Sequence, residues 1–283
     1  MKSIHKYILV LVLLVSASVS KAFAGDKCAL IAGGSRGIGY AIAEALAKRG
    51  WDLVLIARHM DDLEKAKAKL EATYHVQVDI LAKDLSMQET PGELAAWCAE
   101  KKIPLRMLCN VAGFGGERDY LQLPEDTVRY MLRLNIESTV MLTHALLPML
   151  EQNAPSYILN VASMAGLAPI PSKNIYSATK SAVVFFSYSL HFQLRKKDIH
   201  VSCLAPGPVY TKQEVINTTR KALGKTFGDW IEVPPARVGE LAVRKTLNGK
   251  MLIVPGTVAN ITSKLIRLLP RRWVAAVYAS GFN

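Results

Sequence analysis

Cys28-Ala29-Leu30-Ile31-Ala32 is followed by Gly33-Gly34-Ser35-Arg36-Gly37-Ile38-Gly39, and residues 40–49 continue in a helical pattern. An apolar run, a glycine-rich turn and a helix are the parts of a nucleotide-binding strand-turn-helix unit. Glycines at 33, 37 and 39 permit a tight turn. They also let a pyrophosphate approach backbone N–H groups at the helix N-terminus, whose partial positive charge favours an anion. The spacing, Gly-x-x-x-Gly-x-Gly, differs from the commoner Gly-x-Gly-x-x-Gly. Ser35, Arg36 and Ile38 lie between these glycines and belong to the same expected contact surface.

The pattern continues outward from this turn. Apolar runs at 28–32, 52–57, 76–81, 105–110, 156–161, 200–205 and 251–254 alternate with longer amphipathic stretches, in which Ile38, Ile42 and Leu46 repeat every four residues. Strands alternating with helices imply a parallel sheet covered on both faces. The expected fold class is α/β: one doubly wound Rossmann-type domain over residues 25–256, with a central parallel sheet of about seven strands. No internal repeat, low-complexity tract or Pro/Ser-rich linker divides that span.

The second run ends at Ala57, where a protein preferring NAD(H) would place an acid on the adenosine ribose. That acid is missing. Arg58 follows at once and Arg36 sits inside the glycine turn, two cations suited to a 2'-phosphate, so the sequence favours NADP(H).

Tyr176-Ser177-Ala178-Thr179-Lys180 opens an amphipathic stretch, and a spacing of four puts Tyr176 and Lys180 on one helical face. A phenol with a pKa of about 10 is a poor acid-base catalyst near neutrality, and a neighbouring ammonium stabilises its phenolate. Ser163 follows the run at 156–161 and faces the same edge of the sheet, where open parallel sheets bind their ligands.

Taken together, the glycine turn, Ser163 and Tyr176-x-x-x-Lys180 resemble the short-chain dehydrogenase/reductase family over about residues 26–256. The resemblance implies that Asn135, Ser163, Tyr176 and Lys180 are catalytic. It implies that Asp84 and Leu85 contact adenine, that Asn110, Ala112 and Gly113 line the cofactor after the fourth strand, and that Pro206, Gly207, Val209 and Thr211 approach the nicotinamide. Tyr176 and Lys180 would also touch the cofactor. Asn135 would hold a water linking Lys180 to solvent. Two positions depart from the family pattern: Ala32 replaces a threonine and Val111 an asparagine, and each removes a side chain that would brace a turn. The backbone N–H and C=O groups there are expected to serve instead. The segment at 142–149 and Arg267-Leu268-Leu269-Pro270-Arg271-Arg272 resemble a bacterial branch related to hydroxysteroid and ketoacyl-lipid reductases.

The implied reaction interconverts a carbonyl and a secondary alcohol on a hydrophobic, lipid- or steroid-like substrate, with NADP(H) as cofactor. A different reading is a non-catalytic NADP(H)-binding sensor or membrane-associated scaffold, which would not need Ser163, Tyr176 and Lys180 together. The polar stretch at 211–234 is expected to be a substrate lid. His144 reads as an ordinary helix residue, because the Tyr/Lys pair already supplies acid-base chemistry.

The 283 residues carry a net charge of +12, and 51% are hydrophobic, which excludes a disordered or fibrous chain. The cations are dispersed without interleaved aromatics, so nucleic-acid binding is not expected. Four widely spaced cysteines indicate buried thiols and no metal site. Lys2 and Lys6 precede an apolar run at 7–19, and Ala22-Phe23-Ala24 resembles a cleavage site. Residues 1–24 are therefore either a cleaved signal peptide or a retained anchor. At the other end, residues 257–283 form a basic, apolar extension broken near Pro270, suited to a membrane interface or to packing on the domain or a dimer partner. A homo-oligomer associated with a membrane is expected.

Overall fold

The computed structural model describes residues 25–115, 120–207, 209 and 233–280. The segment at 1–24, Thr211 and most of the expected lid lie outside the described residues. Seven strands build one sheet: β1 (Cys28–Ala32), β2 (Asp52–Ala57), β3 (Val78–Ala82), β4 (Leu105–Asn110), β5 (Ser156–Val161), β6 (Ile199–Leu204) and β7 (Leu252–Ile253). All neighbours are parallel, in the order β3-β2-β1-β4-β5-β6-β7. The order reverses between β1 and β4, which opens a crevice beyond the carboxyl ends of those strands.

Between the strands lie α1 (Gly37–Ala47), α2 (Met60–Tyr74), α3 (Thr90–Glu100), α4 (Glu125–Leu132), α5 (Ser138–Gln152), α6 (Asn174–Leu194) and α7 (Pro235–Leu247). Successive side chains of a strand point to opposite faces. Ala29 and Ile31 accordingly pack with Ile42 and Leu46 of α1 and Val238 of α7. Cys28 and Leu30 pack on the other face with Leu94 of α3 and Leu142 and Leu146 of α5. Burial on both faces is why the strands read as mainly apolar runs rather than as alternating ones. Cys28, Cys98, Cys109 and Cys203 are all buried free thiols.

The third strand starts at Val78, two residues later than its apolar run, because His75 closes α2 in the left-handed conformation and the chain must still turn. Past β7, α8 (Thr257–Leu268) and α9 (Arg271–Ser280) complete the described chain. Leu269 between them is extended, the conformation a following proline favours. Among the described residues no helix is long and apolar enough to cross a membrane.

Candidate active site

The glycine turn folds tightly onto the end of β2. Gly33 and Gly34 N–H groups donate to the Ile56 carbonyl at 2.8 and 3.2 Å. Gly33 has φ +97°, and a Cβ on Gly39 would lie 1.9 Å from the Gly33 carbonyl oxygen, so neither position accepts a side chain without displacement. Arg36 then caps α1 in extended conformation, leaving Gly37, Ile38 and Gly39 as the first residues of the helix. Ser35 lies half-buried beside them. This leaves a cradle at a helix N-terminus fit for a pyrophosphate.

The two departures at Ala32 and Val111 are compensated as the backbone argument expects. The Ala32 carbonyl accepts from both Val111 N–H (2.9 Å) and Ala112 N–H (2.8 Å), tying the turn after β1 to the turn after β4. Gly113 continues that second turn: a Cβ there would lie 3.0 Å from Lys180 Nζ and 3.2 Å from Asn135 Oδ1.

Arg36 and Arg58 both occupy the mouth of the cradle. The Arg36 side chain is 68% exposed, with the Asp62 carboxylate 4.0 Å away. Arg58 donates to the neutral Tyr130 hydroxyl at 3.0 Å. Burial raises the Tyr130 pKa, while Arg58 pulls it down. Further along the edge, the Asp84 carboxylate accepts from Ser86 N–H and Oγ–H, which shapes the turn that buries Leu85.

The Asn110 side chain turns away from the cradle and into the core. Its amide donates to Thr143 Oγ1 (3.0 Å) and Asn160 Oδ1 (2.9 Å), and Asn160 in turn donates to Ser187 Oγ. That network ties β4 and β5 to α5 and α6.

Opposite the glycine turn, Ser163 leaves β5 and caps a short helical turn, its Oγ accepting from Ala165 N–H at 3.1 Å. Tyr176 and Lys180 stand one turn apart at the start of α6, with Lys180 Nζ 6.0 Å from the centre of the Tyr176 ring. Burial pushes the Tyr176 phenol above its usual range, and the Ser163 hydroxyl pulls it back. Burial lowers the Lys180 pKa to about 8. Its ammonium donates to the Val161 carbonyl at 2.9 Å. A buried ammonium needs an acceptor, and the last carbonyl of β5 provides it.

Asn135 lies in a π-helical turn, Arg133–Glu137, that joins α4 to α5. The bulge directs its amide inward. Oδ1 accepts from Phe114 N–H at 2.8 Å, and Nδ2 donates to the Phe114 carbonyl (2.8 Å) and Thr179 Oγ1 (3.0 Å). In this arrangement Asn135 fixes the loop after β4 against α6. The Pro206 carbonyl accepts from Met164 N–H, Gly207 approaches Ala259 of α8, and Val209 is bridged to Val233. Val209, just before the expected lid, and Val233, near its end, are thus neighbours.

A model of the short chain dehydrogenase family matches residues 27–221. The chain belongs to that family. It is an oxidoreductase with the family's doubly wound fold. A very-long-chain 3-oxoacyl-CoA reductase of Mus musculus is 33% identical over 259 residues, 90% of this chain and 79% of the relative. The bulky-bulky ketone specific alcohol dehydrogenase of Comamonas testosteroni is 26% identical with a TM-score of 0.73, over 86% of this chain and 91% of that one. A short-chain dehydrogenase of Sphingobium yanoikuyae, solved in complex with NADPH, is 25% identical with a TM-score of 0.72, over 87% and 97%.

In this dehydrogenase several site neighbours escaped the sequence reading. Thr179 lies within the Tyr176-x-x-x-Lys180 stretch, and its hydroxyl is visible there only as an unassigned polar residue. Tyr130, Gly115 and the Val161 carbonyl come close through tertiary packing, and no local spacing signals them.

Proposed function

We propose that this dehydrogenase reduces the ketone of an apolar, lipid-derived substrate with NADPH, a 3-oxoacyl thioester being the class to test first. The observation that carries the reading is the convergence of Ser163, Tyr176 and Lys180 at the carboxyl end of β5, across the crevice from the glycine turn. The cradle's fit to a nucleotide rests on the close approach at Gly33 and Gly39 and on two exposed arginines at its mouth. The substrate class rests on the mouse reductase and the ketone-specific enzyme, and the cofactor on Arg36, Arg58 and the NADPH-bound relative.

NADPH, when bound, supplies the hydride that reaches the carbonyl carbon. Gly33, Gly37 and Gly39 leave room for its pyrophosphate, and Arg36 and Arg58 meet its 2'-phosphate. Ser163 Oγ holds the substrate oxygen. Tyr176 donates its phenolic proton to that oxygen, completing the alcohol. Lys180, charged below about pH 8, stabilises the phenolate left behind until solvent returns a proton.

The test is NADPH consumption with 3-oxoacyl thioesters of increasing chain length beside a panel of ketones and steroids. Tyr176→Phe should abolish turnover while NADPH still binds; full activity in that variant would sink the mechanism. NADPH binding with no turnover on any substrate would favour the sensor reading instead.

A further inference from the structure

We propose that α8 and α9 are a docking face for an anionic lipid bilayer, and that the cavity between α8 and β7 receives a lipid headgroup phosphate. After Glu240 the chain contains seven cations (Arg244, Lys245, Lys250, Lys264, Arg267, Arg271 and Arg272) and no acid. Both helices carry an apolar face that the domain does not cover. Ile261, Leu265 and Leu268 repeat at four and three residues on α8, and Trp273 and Val277 at four on α9, all exposed; Leu268 is 82% exposed. The buried residues Ser263, Ile266 and Val274 lie elsewhere around the same helices and hold them to the domain. Exposed tryptophan and leucine flanked by Lys264, Arg271 and Arg272 is the composition that settles at a headgroup boundary.

The cavity adds an independent observation. It has a volume of about 300 Å³ and is lined by Lys250, Lys264 and Arg267, with Ser263, Asn260 and Tyr188 supplying further polar groups. Arg267 is held in place by its bonds to the Ser263 carbonyl and Tyr188 Oη. Three cations with no acid among the lining residues fit a phosphate. Asn260, Ser263, Lys264 and Arg267 form one face of α8, adjacent to the face that carries Ile261, Leu265 and Leu268. A lipid phosphate in the cavity would therefore leave its acyl chains beside the apolar stripe. A second copy of this chain would have to bring acids to this surface, which the acid-free C-terminal region does not itself offer.

The face also adjoins the catalytic side of the molecule. Arg271 donates to the Leu167 carbonyl at 2.7 Å, and Ala168 packs with Ile266 and Val274, four to five residues beyond Ser163. Docking there would bring the crevice close to the bilayer. The docking proposal itself does not depend on the reductase reading.

The full-length protein is mixed with phosphatidylglycerol vesicles or with phosphatidylcholine vesicles, and amide hydrogen exchange and sedimentation are measured. Protection over residues 257–280 on phosphatidylglycerol alone is expected. The double variant Lys264→Gln/Arg272→Gln should weaken vesicle binding about thirty-fold by sedimentation, and Leu265→Glu/Trp273→Glu should remove the protection. Both should keep wild-type turnover of a small soluble ketone if the parent has it. Protection confined to the N-terminal residues, or binding indifferent to lipid charge, would overturn the proposal. So would a loss of oligomer mass in Leu265→Glu/Trp273→Glu with vesicle binding unchanged, which would assign the face to a second copy.

Discussion

The ammonium of Lys180 is held 2.9 Å from the carbonyl oxygen of Val161, the last residue of β5, and burial lowers its pKa to about 8. Below pH 8 the folded protein keeps a charge buried. Between pH 8 and the unfolded lysine value near 10.5 the unfolded chain binds the extra proton, so this group makes stability rise with pH across that window. Lys180→Met removes the buried charge at the cost of one unpaired carbonyl. It should raise the thermal midpoint at pH 7, with the gain shrinking toward pH 10, while turnover is lost. A lower midpoint at pH 7 would show that the bond to Val161 outweighs the burial penalty.

The same group sets a limb of the pH profile for reduction. Tyr176 stays protonated through neutrality because burial raises its pKa, so the proton donor is available across the working range. Lys180 loses its charge near pH 8, and the phenolate formed on donation then lacks its stabilising partner. The kcat/KM for ketone reduction should therefore fall above about pH 8. A profile flat to pH 10 would separate Lys180 from the proton step.

How far the sequence carried this site depends on which kind of force places each residue. The sheet was legible because β1, β2, β4 and β5 are buried on both faces, so each appears as a mainly apolar run with the boundaries expected. The spacing of Tyr176 and Lys180 was legible because a helix fixes it locally. Orientation was not. Asn110 has the position expected of it, yet its side chain answers to Thr143 and Asn160, partners 33 and 50 residues away. Lys180 likewise takes a backbone acceptor that no side-chain motif encodes.

Asn135 offers a test of positioning rather than chemistry. Asn135→Ala removes the amide's three bonds, to Phe114 N–H, the Phe114 carbonyl and Thr179 Oγ1, at a cost of about 2–4 kcal/mol. Chemical denaturation should register that loss. Thr179→Val removes one of those bonds together with the hydroxyl's own bond to the Tyr176 carbonyl, and should cost about 1–2 kcal/mol while leaving both Phe114 bonds in place. Equal destabilisation by both variants would mean the loop at Phe114 is held by something else.

Gly115 lies against the ring of Tyr176, and a Cβ added there would fall 2.4 Å from Cε2 and 3.1 Å from Cγ. Those contacts run along one edge of the ring as far as Cγ, which lies on the χ2 axis, so the edge must swing away and the phenol shifts with the ring. A displacement near 1 Å at a reacting group costs on the order of 100-fold in rate. Gly115→Ala should lose turnover by about that factor with NADPH affinity changed less than about threefold. Wild-type kinetics in this variant would mean that the Tyr176 position is not limiting.

Arg58 tests the cofactor assignment through its partner. Its guanidinium donates to Tyr130 Oη, and Tyr130 is set by an edge-on contact with Phe114, the rings 5.5 Å apart at 67°. A neutral partner orients the arginine without cancelling its charge, which leaves the guanidinium available to a 2'-phosphate. Arg58→Ala should weaken NADPH by about 10- to 100-fold and leave NADH nearly unchanged, because a charge-assisted bond to phosphate contributes about 1.5–3 kcal/mol. Tyr130→Phe keeps the ring contact and the arginine but frees its rotamer, so the loss should be smaller and again confined to NADPH. Titrations with both nucleotides decide the matter: equal losses for NADPH and NADH in Arg58→Ala would make the arginine structural, and a Tyr130→Phe variant as weak as Arg58→Ala would move the 2'-phosphate contact to the tyrosine.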